Sequence, residues 1–389
     1  MNQRKFFALA ATTVVVLAAG VWISMHRSSE QSDLGGALVF ADLKPALAEI
    51  TEVRFAKGDG SRTTLTKSAD GWTVVERQFP ADAGRVRDLV LNLASLKVVE
   101  SKTKDPANYA KLGVEAPDTP TATSTLVEVV AGKKTWSLIV GKVSDGKAVF
   151  VRKPAEAVSV LAEPFIAADP DQKSWLDRLL TDIPGTSVQE IDVKPASGPA
   201  YQLTRATRDA ADLTLKPVPR GRKVITPMSL GVHQTEALAA FNFDDVRATP
   251  TPAPAATDTA TYRTFDGQVI ELAGRREGEK AFVTVAARRD ADLAAKFAVP
   301  APAPATPAPA ADGKPAAPAE AATPAAPAPA APTPADKTVE RLGARATGLE
   351  FEIPGYKYDT LFRKQEELLE KKPDAAGAKP PPPRPHHGS

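Results

Sequence analysis

The sequence predicts an α+β protein: an N-terminal transmembrane helix, then two related units of mainly antiparallel β-sheet, each with a helix packed on one face. Three observations lead there. An uncharged run near the N-terminus is long enough to cross a bilayer. After it come short β-type segments with alternating apolar residues, separated by Gly- and Asp-containing turns and interrupted by a 3.6-residue periodicity. A motif that opens the first β-rich region returns about 138 residues later.

Arg4 and Lys5 precede an uncharged run over residues 6–25, opening with Phe6 and closing with Met25, and His26 and Arg27 follow it. At about 1.5 Å per residue the run spans about 30 Å, the hydrocarbon thickness of a bilayer. Ala18, Ala19 and Gly20 lie inside the run with Val21, Trp22 and Ile23 beyond them, so an uncleaved anchor is expected. The alternative is a signal peptide cleaved near Ala19 or Gly20. The basic end is N-terminal, which predicts a single-pass protein of the inner membrane with residues 1–27 as cytoplasmic end and anchor and the bulk of the chain outside the cytoplasm. The charge balance of 49 basic and 47 acidic residues gives no electrostatic case for nucleic acid. Cysteine is absent, which excludes disulfides, thiolate metal sites and lipid attachment through Cys.

Residues 28–48 read as a stalk and residues 49–180 as the first unit. Ile50, Val53 and Phe55 signal a strand, Lys57-Gly58-Asp59-Gly60 a turn, and residues 63–66 its hairpin partner. After the Asp70-Gly71 turn, Trp72, Val74 and Val75 open a third strand. Val86, Leu89, Val90 and Leu93 fall at i, i+3, i+4 and i+7, one apolar helical face, with Asp82 as its N-cap. A turn-rich connector over residues 108–114 follows. Strands are expected at 126–130 and 136–140 around Gly132-Lys133-Lys134, and at 148–152 after Asp145-Gly146.

The second unit is expected over residues 181–298. Val188-Gln-Glu-Ile-Asp-Val193 repeats the apolar-x-Glu-apolar-polar-apolar order of Ile50-Thr-Glu-Val-Arg-Phe55. Residues 201–204 and 213–215 supply the next strands, residues 235–243 the matching helix with Leu238 and Phe241 on its apolar face, and residues 262–265, 269–272 and 282–285 the last strands. Residues 249–257 form a Pro-rich insertion. Residues 299–337 are an Ala/Pro-rich linker with 12 prolines between positions 300 and 334, expected to be disordered and partly extended. A C-terminal strand and a charged helix over 364–372 complete the second unit within residues 338–372. Residues 373–389 form a disordered tail.

In combination these pieces resemble the bacterial domain-of-unknown-function 4340 family. The resemblance is carried by the first strand, Gly71-Trp72, the helix, Tyr109-Ala-Lys-Leu-Gly-Val114 with Pro117, Ile139-Val-Gly141, Trp175-Leu-Asp-Arg-Leu-Leu180, and Ile353-Pro354 with Tyr356 and Leu361. It covers residues 45–370 and is interrupted by the proline-rich insert. It implies a single-pass envelope protein, in some cases encoded near ABC transporter components of gliding-motility type, and it supplies no catalytic residue. The expected function is therefore a non-enzymatic, envelope-side accessory or scaffold of such a transport system, with protein partners. The alternatives are a cell-wall or polysaccharide-processing enzyme with an inter-unit cleft, or a structural spacer.

No residue pattern adds a catalytic, cofactor or metal site. Gly58-x-Gly60 lacks the following helix that a phosphate loop needs and reads as a turn. Asp244-Asp245 reads as a solvated helix end, and His233, with no second His or Cys beside it, as no metal ligand. Tyr109 and Gly113 are candidates for a partner groove, although packing and turn roles suit them as well. Arg275 and Arg276, with Arg288 and Arg289, are basic pairs flanking a hairpin. The first two are candidate partner contacts, with solvated strand ends as the other reading.

Overall fold

The computed structural model describes residues 35–210, 213–225, 232–298 and 333–370. The expected anchor, most of the linker and the tail lie outside the described residues. No helix among the described residues is long and apolar enough to cross a membrane. The architecture is α+β with antiparallel sheets, and the chain divides into two compact units after Arg178.

The first unit contains β1 (Ile50–Lys57), β2 (Arg62–Ser68), β3 (Gly71–Val74), β4 (Phe79–Pro80), helix α1 (Ala83–Ser95), β5 (Lys97–Ser101), the single helical turn α2 (Tyr109–Leu112), β6 (Thr125–Ala131), β7 (Lys134–Ser144), β8 (Ala148–Arg152) and β9 (Ser159–Glu163). They form a nine-stranded sheet in the order β4-β3-β2-β1-β6-β7-β8-β9-β5. Ile50, Val53 and Phe55 are all buried although strict alternation would put Ile50 on the opposite face from the other two. The β1–β6 register shifts between Ile50 and Glu52, and that bulge turns Ile50 inward. Helix α1 forms as its sequence dictates. Asp82 Oδ1 accepts from the N–H groups of Gly84 and Arg85, and Val86, Leu89, Val90 and Leu93 are buried. Trp175 is fully buried, stacks on Phe55 at 4.8 Å between centroids, and donates from Nε1 to the Asp169 carbonyl.

The second unit contains β10 (Leu179–Thr181), β11 (Val188–Lys194), β12 (Tyr201–Thr204), β13 (Thr214–Lys216), the turn α3 (Val232–Thr235), β14 (Phe241–Asn242), β15 (Asp245–Ala248), β16 (Asp258–Thr264), β17 (Gln268–Glu277), β18 (Lys280–Arg289), α4 (Ala291–Lys296), α5 (Pro334–Ala346), β19 (Leu349–Ile353) and α6 (Gly355–Leu361). Its eight-stranded sheet runs β13-β12-β11-β16-β17-β18-β19-β15, and β10 pairs with β14 separately. Apart from β4, this order repeats that of the first unit strand for strand. Val53↔Leu65 in β1–β2 corresponds to Ile191↔Leu203 in β11–β12, and the β11–β16 register shifts between Val188 and Glu190, the positions equivalent to the bulge in β1.

Several expectations are corrected. The stalk does not extend to residue 48: Val39, Phe40 and Leu43 are buried, and residues 36–39 hydrogen-bond along the outer edge of β5, removing an open sheet edge. Val75 lies in a 3₁₀ turn rather than in β3. Residues 235–243 are not a helix. A 3₁₀ turn ends at Leu238, Ala239 is extended, Ala240 takes φ +44°, and Phe241 joins β14 because its partner strand β10 binds it. Asp244-Asp245 is therefore no helix end; β15 starts at Asp245. Pro334 opens α5, so the linker gives way to helix before residue 337. In place of a charged helix over 364–372 there is one 3₁₀ turn, Gln365–Leu368, with Gln365, Leu368 and Leu369 buried.

Candidate functional site

Tyr109 and Gly113 lie together in the first unit, in a turn that packs inward. The Tyr109 hydroxyl donates to the Ala157 carbonyl at 2.5 Å, its ring lies 4.5 Å below the Arg152 guanidinium carbon, and it shares a core cluster with Val114 and Ile139. Arg152 is itself buried and donates to the carbonyls of Val114 and Glu156. Gly113 caps α2 in the left-handed region at φ +68°. Gly141 of β7 abuts it: a Cβ there would lie 2.4 Å from the Leu112 carbonyl oxygen and 2.6 Å from that of Gly113. The motif glycines are thus a paired close approach of backbone.

Arg275 and Arg276 are neighbours on β17 and point to opposite faces. Arg275 is buried; its Nη2 donates to both carboxylate oxygens of Glu350, at 3.0 and 2.8 Å, and its Nη1 meets Glu277. Arg247 bridges the same two glutamates, and both guanidiniums lie over Phe282. Hydrogen bonds from Arg275 and Arg247 hold the Glu277 carboxyl below its usual range. Arg276 pairs with Asp359 at 2.6 Å and covers the Tyr358 ring. The structure therefore gives each of the four candidates an internal partner or packing role and does not gather them at one site.

A cleft of about 730 Å³ in the second unit was not foreseen. It is made by what this unit has and the first lacks. Between β8 and β9 the chain turns within residues 153–158; between the equivalent strands β18 and β19 it runs through residues 290–348, including α4 and α5. Ala294 and Ala295 of α4, then Phe297, form one wall, Pro334 and Ala335 of α5 another, and Phe265 closes the base. Phe265 meets Phe297 edge-on at 5.0 Å. Gly267 allows α4 to sit this close, because a Cβ there would fall 2.2 Å from the Asp290 carbonyl oxygen. Helix α5 is fixed by a capping box, Thr333 and Asp336 each bonding the other's backbone N–H. Asp336 also accepts from Arg289 Nε at 2.7 Å. Its carboxyl lies below the usual range, first through Thr333 and then through Arg289.

The charged groups lining the cleft are engaged within the unit. Arg208 pairs with Asp266, Arg289 with Asp336, and Asp182 accepts from the Ala240 N–H. Two polar atoms are left over. Gln268 and Arg289 stand directly opposite each other across β17 and β18, and Gln268 Oε1 and Arg289 Nη1 are both buried without a hydrogen-bond partner. Such atoms cost about 1–3 kcal/mol each when left so. No local sequence signal marks Gln268, because its significance depends on a strand partner 21 residues away. Among the described residues no cluster of His, Asp or Glu is arranged to hold a metal ion.

No curated protein and no solved structure matches the chain. A family model does: the domain of unknown function DUF4340 matches residues 72–264, from β3 to the end of β16. Over that span the chain belongs to the DUF4340 family.

Proposed function

We propose that this chain is a non-enzymatic accessory or scaffold protein, anchored in the inner membrane through residues 6–25, that presents its two units on the envelope side to the subunits of an ABC-type transport system. One observation carries the binding reading. The charges lining the second unit's cleft are held in ion pairs or hydrogen bonds within the unit, and its walls are largely apolar. That arrangement suits recognition of a neutral surface better than proton or group transfer, which asks for a titratable group poised in the cleft. The two units are copies of one ancestral unit. Shared strand order, shared hairpin register and a bulge at the same position support this, since a one-residue slip would turn a strand's apolar face outward.

The test is affinity purification of the full chain from membranes with the anchor intact. Co-purification of transporter membrane or ATPase subunits, lost on exchanging Phe297 for Asp, is the expected result. Glycan turnover by the purified chain, or recovery of the chain free of transport subunits, would overturn the proposal.

A further inference from the structure

A depression of about 890 Å³ lies on the outer face of the second unit's sheet and shares no lining residue with the cleft. Asp192 and Lys194 alternate with the buried Ile191 and Val193 along β11, and Lys216 follows the buried Leu215 on β13, so all three point away from the core. Register puts Asp192, Gln202 and Lys216 in one row across β11, β12 and β13, with Lys194 beside Thr259 in the next row. The two lysines are therefore about 12 Å apart at Cα, diagonally across the depression, and their flexible stems reach a common point above it. Ala200 lines the same depression, and its small side chain leaves the floor open. Arg263 is engaged: it pairs with Glu190 at 2.7 Å and with Asp192, which also accepts from Gln202 Nε2 at 3.0 Å. Among the described residues, the ammoniums of Lys194 and Lys216 and the hydroxyls of Thr259 and Thr261 have no side-chain partner.

The first unit shows the same face without the lysines. Counted from the matching positions Ile191 and Val53, its Arg54 is likewise held by two carboxylates, Glu52 at 2.5 Å and Glu128 at 3.8 Å. Ala56 stands where the second unit has Lys194, Val75 where it has Lys216, and the long Arg62 where it has Ala200. The guanidinium between two carboxylates thus belongs to the shared sheet, whereas the open floor and the two unpaired ammoniums belong to the second unit.

We infer that this depression binds a phosphate monoester, with Lys194 and Lys216 converging on the phosphate and Gln202, Thr259 and Thr261 meeting the polar part of its alcohol. The charge selects the class. A monoester carries about −1.5 to −2 at neutral pH, which two ammoniums match. A carboxylate carries a single charge, and its planar edge is best met by a guanidinium fork. The guanidinium that lines the depression, Arg263, is already held by Glu190 and Asp192. The phosphate has two sources, a soluble ester or the headgroup of phosphatidic acid, and the chemistry at the lysines is the same for both. The site stands apart from the scaffold reading and does not depend on it.

The test is isothermal titration calorimetry of the detergent-solubilised full chain at low ionic strength, with glycerol phosphate, glycerate and a short-chain phosphatidic acid as probes. Glycerol phosphate should bind saturably and at least about tenfold more tightly than glycerate, which keeps the polar alcohol but carries one charge. Lys194→Ala and Lys216→Val restore the first unit's residues, and each should weaken that binding about tenfold. Both lysines are exposed, so the melting temperature should not move. Lys147→Ala, in an exposed turn of the first unit, should leave the affinity unchanged. Phosphatidic acid binding about as tightly as glycerol phosphate, with the same lysine dependence, assigns the site to soluble esters. Phosphatidic acid binding at least about tenfold more tightly, again through both lysines, assigns it to the lipid headgroup. Glycerate binding as tightly as glycerol phosphate, an equal loss with Lys147→Ala, or no saturable binding of either phosphate probe overturns the proposal.

Discussion

Replacing Gly141 by alanine tests the reason for the glycines of the Tyr109–Val114 turn and of β7. Gly141 has no left-handed φ, so alanine brings no backbone strain there. Its new methyl would meet three backbone atoms of the facing turn at 2.4, 2.6 and 2.9 Å, where ordinary contact begins near 3.4 Å. The turn must therefore retreat by about 1 Å, drawing the Lys111 carbonyl away from Lys142 Nζ, now at 2.9 Å, and loosening Tyr109 from its place under Arg152. Overpacking of this kind costs about 1–3 kcal/mol. Against it stands the roughly 0.5–1 kcal/mol that alanine normally gains over glycine in a strand. A net loss of about 1–2 kcal/mol follows. Gly113→Ala should lose at least as much, since it adds about 1–2 kcal/mol of left-handed backbone cost to a 3.1 Å contact with Thr123 Oγ1. The assay is chemical denaturation of the full chain read by tryptophan fluorescence. Trp72, Trp136 and Trp175 lie in the first unit and the second has no tryptophan, so the signal reports the unit that is changed. A Gly141→Ala protein within about 0.5 kcal/mol of the parent would refute the close approach, and Tyr109 and Gly113 would return as surface candidates.

Two further outcomes follow from particular side chains. In α1, Leu89 is 2% exposed and Arg87 points to solvent, so Leu89→Ala should cost about 2–5 kcal/mol and Arg87→Ala less than about 0.5 kcal/mol; equal losses in the same fluorescence assay would refute the face assignment. In α5, Asp336 has a lowered folded pKa, so its contribution is complete above the unfolded value near pH 4 and disappears as pH falls through the folded value. Thermal melts of parent and Asp336→Asn, followed by circular dichroism from pH 7 to pH 3, should differ most at neutral pH and converge in acid; a constant gap would show that the carboxylate charge does not fix the helix.

What the sequence reveals is what neighbouring residues decide. Helix α1 is legible because its cap, Asp82, and its buried stripe lie within four turns of one another. The Val188 motif is legible because the bulge, which places an apolar residue three positions before the next inward one, leaves the same irregular spacing twice. Leu238 and Phe241 also show a helical spacing, yet a non-local partner overrides it: β10 recruits Phe241 and the Ile183 N–H takes the Leu238 carbonyl. Helix α5 carries a local signal, Thr333-Pro334-Ala335-Asp336, but it sits at the end of an Ala/Pro run whose composition argues against any helix. The basic pairs of β17 and β18 read as solvated ends because Glu350, which buries Arg275, and Asp336, which holds Arg289, come from beyond residue 332.

The same comparison explains why the cleft belongs to the second unit. In the first unit the β8–β9 turn is closed by its own chemistry. Arg152 reaches the carbonyls of Pro154 and Glu156 within that turn, and its other face covers Tyr109, so the hairpin end and the motif turn are one packed block. Opening that turn would strand a buried guanidinium and the Tyr109 hydroxyl together, a cost of several kcal/mol. The second unit has no such lock at the equivalent place. Its hairpin end is occupied by α4 and α5, which are held by caps and by the Arg289–Asp336 pair and meet the sheet along small side chains. An insertion there displaces nothing that the sheet needs, and the space between its two helices becomes the cleft. The family motif of Tyr109 and Gly113 accordingly belongs to folding of the first unit, and variation that reshapes the cleft is expected between residues 290 and 348.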